Sequence, residues 1–263
     1  MGVAVNPDID MRYFFSQWHY LMAVEMEKPG GTLYSFQFFN DRGVAVHKIF
    51  STESSDNSHY HALVEKYRAP YQGFLQIEEA GVAQPAAAVA DEDVDVETFH
   101  REWLEMKDTH DFYGMLQKHG LQRTQAFRLA PEGHARRLDV SAYRAILEKA
   151  VERQVSIMCF VHSPGCVQIH SGEIHNIKIM GDWFNILDPM FNLHLRNDKV
   201  AELWLVRKVT DDGLVTSIEL FDEDGELIVY FFGERKPGIP ELESWREIVA
   251  EQERISALDL VES

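Results

Sequence analysis

The sequence is poor in cysteine and in positive charge, and it contains no long apolar segment. Among 263 residues there are 2 cysteines, Cys159 and Cys166, which excludes a disulfide-stabilised scaffold. Lys and Arg number 25 against 43 Asp and Glu, and the net charge of −18 repels nucleic-acid phosphates and anionic membrane surfaces. No apolar run approaches the length of a membrane span, and no charged-then-apolar leader opens the sequence. The composition predicts a reduced, cytoplasmic, soluble protein that neither binds nucleic acid nor inserts into a membrane.

Common catalytic motifs are also missing. There is no G-x-S-x-G nucleophile elbow, no Walker loop and no G-x-G-x-x-G. The segment 159–175, "CFVHSPGCVQIHSGEIH", is rich in Cys and His. However, Cys159 and His162 are three residues apart on a predicted strand and point to opposite faces, and no C-x₂-C zinc pattern is present. We therefore expect neither a nucleophile triad nor a structural zinc.

The sequence does contain an internal repeat. Segment 36–50, "FQFFNDRGVAVHKIF", aligns without gaps with segment 218–232, "IELFDEDGELIVYFF", at an offset of 182 residues. The same offset aligns 6–14 with 188–196. Each copy predicts extended segments, then a strand, an acid-rich turn with glycine and a second strand, and then a helix. This pattern indicates a duplicated unit.

The two copies differ in what precedes them. Several strand-like segments precede the second copy, whereas few residues precede the first. We therefore expect an N-terminally truncated fragment of a longer protein, and the alternative is an asymmetric natural protein. Residues 78–97 are rich in Ala, Pro and acid, which predicts a mobile linker. The predicted domains are a partial N-terminal repeat (1–77), the linker (78–97), and a helical connection plus C-terminal repeat (98–263).

Helical patterns cluster between the two copies. Phe99 and Trp103 share a helix face at i, i+4 spacing, and a helix over 141–153 would bury Ile146, Leu147, Ala150 and Val151. The predicted class is α+β, a duplicated unit with large antiparallel β-sheets and helices in the central connection.

His110 lies at the start of a predicted helix in "KDTHDFYGML", residues 107–116. Asp108 and Asp111 have capping-box spacing, and Gly120 is placed to end the helix. The positive helix end disfavours an imidazolium ion while the two acids favour it, and a metal ligand requires the neutral form. A surface residue, a capping partner, a general base and a metal ligand all remain open, and a plain surface histidine leads on these residues alone. Lys208 is expected to be exposed at a strand end.

Several stretches resemble the haem-utilisation factor family HemS/ChuS/HmuS, the cytoplasmic hemin-degrading or haem-trafficking proteins of bacterial haem uptake. They are "PDIDMRYFFSQW" (7–18), "WLEMKDTHDFYGMLQKHGLQRTQAFR" (103–128), "GCVQIHSG" (165–172), "LWLVRK" (203–208) and "GERKPGIPELESWREI" (233–248). The resemblance covers essentially the whole chain apart from the linker. It implies two repeated halves, with haem in a cleft bounded by the helical connection and the C-terminal sheet.

The resemblance also implies a set of site residues. His110 corresponds to the axial iron ligand, and Arg12 to an arginine on the opposite haem face with Phe14 nearby. Cations for the haem propionates or edge correspond to Arg123, Lys208 and Arg235. The pocket lining corresponds to Tyr230 and Phe232, and some relatives carry a tyrosine where Phe232 stands.

Two functions follow from the resemblance. As an enzyme, the protein would open the haem ring with dioxygen and an external electron donor, releasing iron, with Arg12 and His110 as catalytic residues. As a carrier, it would take haem from a membrane ABC transporter and deliver it to a separate haem oxygenase or reductase. The same fold supports both, as a monomer or a homodimer. A third interpretation is a truncated product without a competent site.

Overall fold

The structure is a computed structural model that describes residues 1–6, 9–73, 77, 89–236 and 238–259. The chain divides into two compact units. The first comprises Met1–Ala83 with His162–Gln168, and the second Gln84–Val161 with Ile169–Ser263. The predicted three-part division of the chain stays a prediction, and residues 78–88 of the predicted linker lie outside the described residues.

The first unit is built from short antiparallel strands and one helix. Its elements are β1 (Gly2–Val5), β2 (Asp10–Tyr13), a 3₁₀ turn (Phe15–Gln17), β3 (Tyr20–Lys28), β4 (Gly31–Phe39), β5 (Ala45–Phe50) and α1 (Asn57–Tyr67). β1 pairs with β2, and β3, β4 and β5 form a three-stranded sheet. Asp56 caps α1 by accepting from the Ser58 N–H at 2.9 Å, and Tyr60 packs on Tyr34 and Phe36 with ring centroids 4.8 Å apart. The helix therefore covers one face of the sheet.

The second unit contains the larger sheet and the other helices. The helices are α2 (Val96–Leu104), α3 (Asp111–His119), α4 (Arg123–Arg128), α5 (Ala142–Glu152) and α6 (Glu243–Asp259). The strands are β6 (Ala135–Leu138), β7 (Ile157–Ser163), β8 (Cys166–Gly172), β9 (Ile177–Met180), β10 (Trp183–Leu187), β11 (Asn192–Arg196), β12 (Glu202–Thr210), β13 (Gly213–Phe221) and β14 (Leu227–Gly233). The strand order is β8-β7-β14-β13-β12-β6, and β9, β10 and β11 form a separate small sheet. These antiparallel sheets with few helices confirm the predicted α+β class.

The internal repeat is confirmed in the strand register. At the offset of 182, β3 and β4 have the same first and last positions as β12 and β13. Both copies also contain a bulge at the equivalent position. Phe39 pairs with Ala45 in the first copy, and Phe221 pairs with Leu227 in the second. The turns that follow β4 and β13 also match. Asn40 Oδ1 accepts two backbone N–H groups at 3.0 and 2.8 Å, and Asp222 Oδ1 accepts the two equivalent groups at 3.0 and 2.9 Å.

The centre of the large sheet is buried on both faces. One face carries Leu205 and Ile218 and packs against α5, α6 and the small sheet. The other carries Trp204, Val206 and Phe221 and packs against α2, α3 and α4. The predicted helix faces are confirmed: Phe99, Trp103, Ile146, Leu147 and Ala150 are buried, and Val151 is half-buried. The helical connection therefore covers one defined face of the second copy.

The last part of the predicted linker is ordered against the second unit. The side chain of Gln125 donates to the Val89 carbonyl and to Asp91 Oδ1, both at 2.7 Å. A 3₁₀ turn follows at Asp91–Asp93, and α2 already begins at Val96. The prediction of a mobile linker is therefore wrong for residues 89–97, because these polar contacts hold the backbone that composition alone assigned to a flexible segment. Among the described residues, no helix is both long and apolar enough to cross a membrane.

Candidate ligand-binding site

The turn before α3 is fixed by two carboxylates. Asp111 Oδ2 accepts from the backbone N–H groups of Lys107 and Asp108 at 3.1 and 3.0 Å. In return, Asp108 Oδ1 accepts from the His110 N–H at 2.8 Å. This reciprocal arrangement fixes the turn that leads into α3 and includes the predicted pairing of Asp108 with Asp111. The helix begins at Asp111, two residues later than a cap at Asp108 predicts, and its N-cap is His110 without a side-chain cap. Gly120 then ends the helix in the left-handed region with φ of 64°.

The His110 side chain projects from this turn with 92% of its surface exposed. Its Nδ1 lies 2.5 Å from Asp108 Oδ1, and its Nε2 makes no hydrogen bond to the part of the chain that the structure describes. Backbone and side-chain hydrogen bonds from His110, together with the charge of Arg235, lower the pKa of the Asp108 carboxyl. A carboxylate that accepts from Nδ1–H leaves the Nε2 lone pair available, which is the usual arrangement of a metal-binding histidine.

Arg235 lies beside the same turn. Its Nη2 is 3.4 Å from Thr109 Oγ1, and its charge acts on Asp108. The residue lies two positions after the end of β14, the strand that carries Tyr230 and Phe232. Arg235 therefore links the His110 turn to one end of the large sheet.

An aromatic surface lies on the sheet next to that end. Tyr230 pairs with Phe160 on β7, and their rings stack at 4.9 Å. Phe232 meets both rings edge-on, at 5.4 Å from Phe160 and 5.1 Å from Tyr230. Burial raises the pKa of Tyr230 to about 12, so its phenol is protonated at neutral pH. Sequence reasoning missed Phe160, because its neighbour Tyr230 is remote in sequence and the strand order alone brings the two together.

Arg123 borders this surface from the first turn of α4. Its Nε donates to Glu219 Oε2 at 2.6 Å, and 24% of its side chain is exposed. Its guanidinium carbon lies 5.2 Å from the Phe112 ring, 5.8 Å from Phe127 and 5.6 Å from Tyr230. These contacts are within cation–π distance, so the guanidinium is held between α3, α4 and β14.

Lys208 is buried, and the prediction that it is exposed at a strand end is wrong. Only 2% of the residue is accessible, because α3 covers this face of β12 and places Phe112 4.6 Å from the ammonium. Its Nζ donates to Glu219 Oε1 at 2.8 Å. Burial lowers the pKa of Lys208 to about 8 even though Glu219 opposes that shift.

Glu219 is the second residue that sequence reasoning missed. Burial alone would raise the pKa of its carboxyl, but the charges and hydrogen bonds of Arg123 and Lys208 outweigh burial and lower it to about 2. A signal was present, since an acid inside the apolar run "SIELF" (217–221) needs a buried partner.

Arg12 and Phe14 belong to the first unit. Arg12 forms an ion pair with Asp10 and is partly buried, while Phe14 is exposed and donates its backbone N–H to the Gly165 carbonyl at 2.9 Å. Their place in the same site as His110 stays a prediction from the resemblance.

The duplicated architecture and this cluster define a class with known members. The model of the haemin-degrading HemS.ChuX domain matches residues 1–67 and 120–252, and the chain belongs to that family. The matched ranges leave out the segment that contains His110. The family model therefore supports the two repeats and α4. The case for a ligand at His110 comes from the geometry of its turn.

Individual relatives agree with this assignment. The hemin transport protein HmuS of Yersinia pestis is 36% identical over 250 residues, which cover 95% of this chain and 71% of that protein. The crystal structure of holo-PhuS, a heme-binding protein from Pseudomonas aeruginosa, has 48% identity and a TM-score of 0.90, covering 94% of this chain and 71% of that one. A structure of ChuS, an E. coli heme oxygenase, has 34% identity and a TM-score of 0.81, covering 95% of this chain and 74% of that one.

Proposed function

We propose that the protein binds haem through His110 in bacterial haem uptake and iron acquisition, as a cytoplasmic protein. The observation that supports this proposal most directly is the His110–Asp108 contact. It orients an exposed, otherwise uncommitted imidazole nitrogen on a turn that Arg235 contacts through Thr109. The relatives HmuS and PhuS are named as hemin transport and heme-binding proteins, in keeping with such a ligand.

The chemistry of the cluster fits haem. Neutral imidazole is the common axial ligand of haem iron, and the Asp108 carboxylate favours the tautomer with an Nε2 lone pair. The half-buried Phe160 and Tyr230 offer apolar area to a porphyrin face, and Phe232, which is buried, packs edge-on against both rings. Arg235 and the terminal amino groups of Arg123 are suited to carboxylates such as the haem propionates. Arg12 and Phe14 are proposed for the opposite face.

We propose two uses of bound haem, with degradation as the leading one and delivery as the alternative. The first is oxidative degradation with dioxygen and an external electron donor, in which the haem iron supplies the redox chemistry and the protein supplies ligation and orientation. It is supported by the likeness to ChuS, which is described as a heme oxygenase. The second is delivery of haem to a separate haem oxygenase, with a haem ABC transporter as the source. It is supported by the likeness to HmuS, which is named as a hemin transport protein.

Haem binding is tested by titrating the protein with hemin and following the Soret band for the parent and His110→Ala. We expect a sharp band that saturates near one equivalent for the parent, and a weakened and shifted band for the variant. His59→Ala is the matched control, because His59 is also an exposed histidine near an aspartate at a helix start, with Nδ1 3.6 Å from Asp56 Oδ2. Identical spectra for the parent and His110→Ala would refute the ligand assignment.

Degradation and delivery are separated by supplying an electron donor to the loaded protein in the presence of catalase. Biliverdin-like absorbance that survives catalase supports degradation, since free peroxide also bleaches haem. An unchanged Soret band, followed by transfer to an added haem oxygenase, supports delivery instead.

A further inference from the structure

The buried charge pair Lys208–Glu219 has a neutral counterpart in the first repeat. At the offset of 182 residues, Lys208 corresponds to Met26 and Glu219 to Gln37. The backbone register is the same in both copies. One copy thus carries both charges and the other carries neither, which indicates that the pair acts as one unit.

Glu219 is fully buried and is saturated with donors. Its Oε1 accepts from Lys208 Nζ at 2.8 Å and from Ser217 Oγ at 2.9 Å, and its Oε2 accepts from Arg123 Nε at 2.6 Å. A carboxylate that is buried away from water requires such hydrogen-bond donors and cations. All three hydrogen bonds come from side chains of this cluster, so Glu219 holds Lys208, Ser217 and Arg123 in place.

Arg123 is tethered through one end of its guanidinium. Nε is committed to Glu219, whereas Nη1 and Nη2 make no hydrogen bond within the described part of the chain. The side chain is also the accessible member of the cluster, since Lys208 and Glu219 are almost completely buried. The terminal amino groups of Arg123 are therefore the donors that remain for a ligand.

Charge balance explains why a lysine is needed. The cluster contains two cations, Arg123 and Lys208, and one anion, Glu219, so its formal charge is +1. Without Lys208, the carboxylate that fixes Arg123 would also cancel its charge, and a second carboxylate would be repelled at short range. With Lys208, Arg123 is both fixed and attractive to one anion.

We propose that Glu219 is a positioning residue that presents the Nη edge of Arg123 to one carboxylate of the ligand, and that Lys208 balances Glu219 without touching the ligand. The inference rests on the proposed function, because haem supplies the carboxylate as a propionate. It departs from the resemblance, which implied Lys208 as a direct contact.

The test compares ferric protoporphyrin IX with its dimethyl ester, in which both propionates are capped. The parent should bind the free acid at least about tenfold more tightly, as a charged hydrogen bond provides. Lys208→Met with Glu219→Gln removes both charges but keeps an amide oxygen for Arg123 Nε, as in the first repeat. Lys208→Met with Glu219→Leu removes the charges and the acceptor. Asp198→Asn, at an exposed ion pair with Arg196, is the control and should behave as the parent.

We expect the Met/Gln variant to keep the preference within about threefold and the Met/Leu variant to lose most of it. Loss of the preference in the Met/Gln variant would show that Lys208 itself binds the carboxylate, and would overturn the proposal. An unchanged preference in both variants would overturn the positioning role of Glu219.

A ligand-free measurement keeps the two proposals separate. Nitrogen-15 NMR should show a slowly exchanging Arg123 Nε–H in the parent and in the Met/Gln variant, and its loss in the Met/Leu variant. If the parent binds neither porphyrin with saturation, the haem proposal fails while this signal still decides the role of Glu219. Thermal unfolding of each variant shows that it is folded before its binding is compared.

A pH profile provides a further readout. The groups that face Lys208 are Glu219, Arg123 and Ser217, with Phe112 and Phe127 beside them. Since the pKa of Lys208 is about 8, the cluster loses its net positive charge at higher pH. The preference of the parent for the free acid should therefore fall as the pH rises through about 8, whereas that of the Met/Gln variant should not.

Discussion

The strands β3, β4 and β5 of the first repeat and β12, β13 and β14 of the second share one hydrogen-bond register but differ in burial. β3 contains no buried residue, whereas most residues of β12 are buried. Both copies have the same bulge and the same side-chain-supported turn. The register is therefore encoded locally by the turn and bulge, while burial depends on the elements that pack on each face.

The packing elements differ in a defined way. In the second copy, β6 and β7 pair with the outer strands β12 and β14, and helices cover both faces of the sheet. In the first copy, β3 and β5 each pair only with β4 among the described residues, and α1 contributes Tyr60 to one face. The buried charges of the second copy exist only where the helices exclude water. The same register positions in the first copy carry Met26 and Gln37.

The largest expected effect comes from removing an aromatic at the bulge of each copy. Phe221 is fully buried, and Phe221→Ala should lower the free energy of unfolding by about 3 to 5 kcal/mol. Phe39 occupies the equivalent position but is half-buried, so Phe39→Ala should cost about half as much. Urea denaturation of both variants measures the two costs, and equal losses would contradict the claim that burial separates the copies.

The buried ion pair should give the next largest effect. Glu219→Leu leaves Lys208 and Arg123 as uncompensated cations and should destabilise the protein by about 3 kcal/mol. Adding Lys208→Met should recover a large part of that loss, because the remaining charge on Arg123 reaches solvent. Gln37→Leu in the first repeat is the control and should change stability by less than about 0.5 kcal/mol. The same denaturant midpoints test all three, and an additive double variant would show that the pair is not coupled.

These effects separate what the sequence predicts from what only the fold reveals. The offset of 182, the contacts between Asp108 and Asp111 and the buried faces of α2 and α5 are periodic or local, so single-sequence reasoning identified them. The burial of Lys208 and the position of Phe160 depend on which helix covers which face and which strand lies beside which. Those relations are set by tertiary packing, so Lys208 was expected in solvent and Phe160 was overlooked.

A smaller, pH-dependent effect is expected at Glu241, a buried carboxylate that lies just before α6. Burial raises the pKa of the Glu241 carboxyl to about 8, although it accepts from the backbone N–H groups of Thr216 and Gly233. A raised folded-state pKa gives stability that is complete below the unfolded value of about 4.3 and is lost as pH rises through about 8.

Glu241→Gln should therefore remove part of the decline in stability between pH 6 and pH 8, by about 1 kcal/mol per pH unit at most. Thermal unfolding across this range measures the slope. Glu243→Gln, at an exposed position in the first turn of α6, is the control and should leave the slope unchanged. A parent whose stability is flat between pH 6 and pH 8 would contradict the burial effect at Glu241.

The smallest effect tests the claim that the turns encode the strand register locally. Gly43 and Gly225 occupy the same place in the two turns, with φ of 74° and 79°. An alanine strains this left-handed backbone, so Gly225→Ala should cost about 1 kcal/mol. Gly43→Ala should cost a similar amount despite the greater exposure of its copy, because the penalty arises within the turn and the added Cβ would meet only the terminal methyl of the exposed Ile77 side chain, 2.6 Å away, which can move. If denaturation shows that the two costs differ as widely as those of Phe221 and Phe39, the turn is not an independent local unit, and packing determines the register as well as the burial.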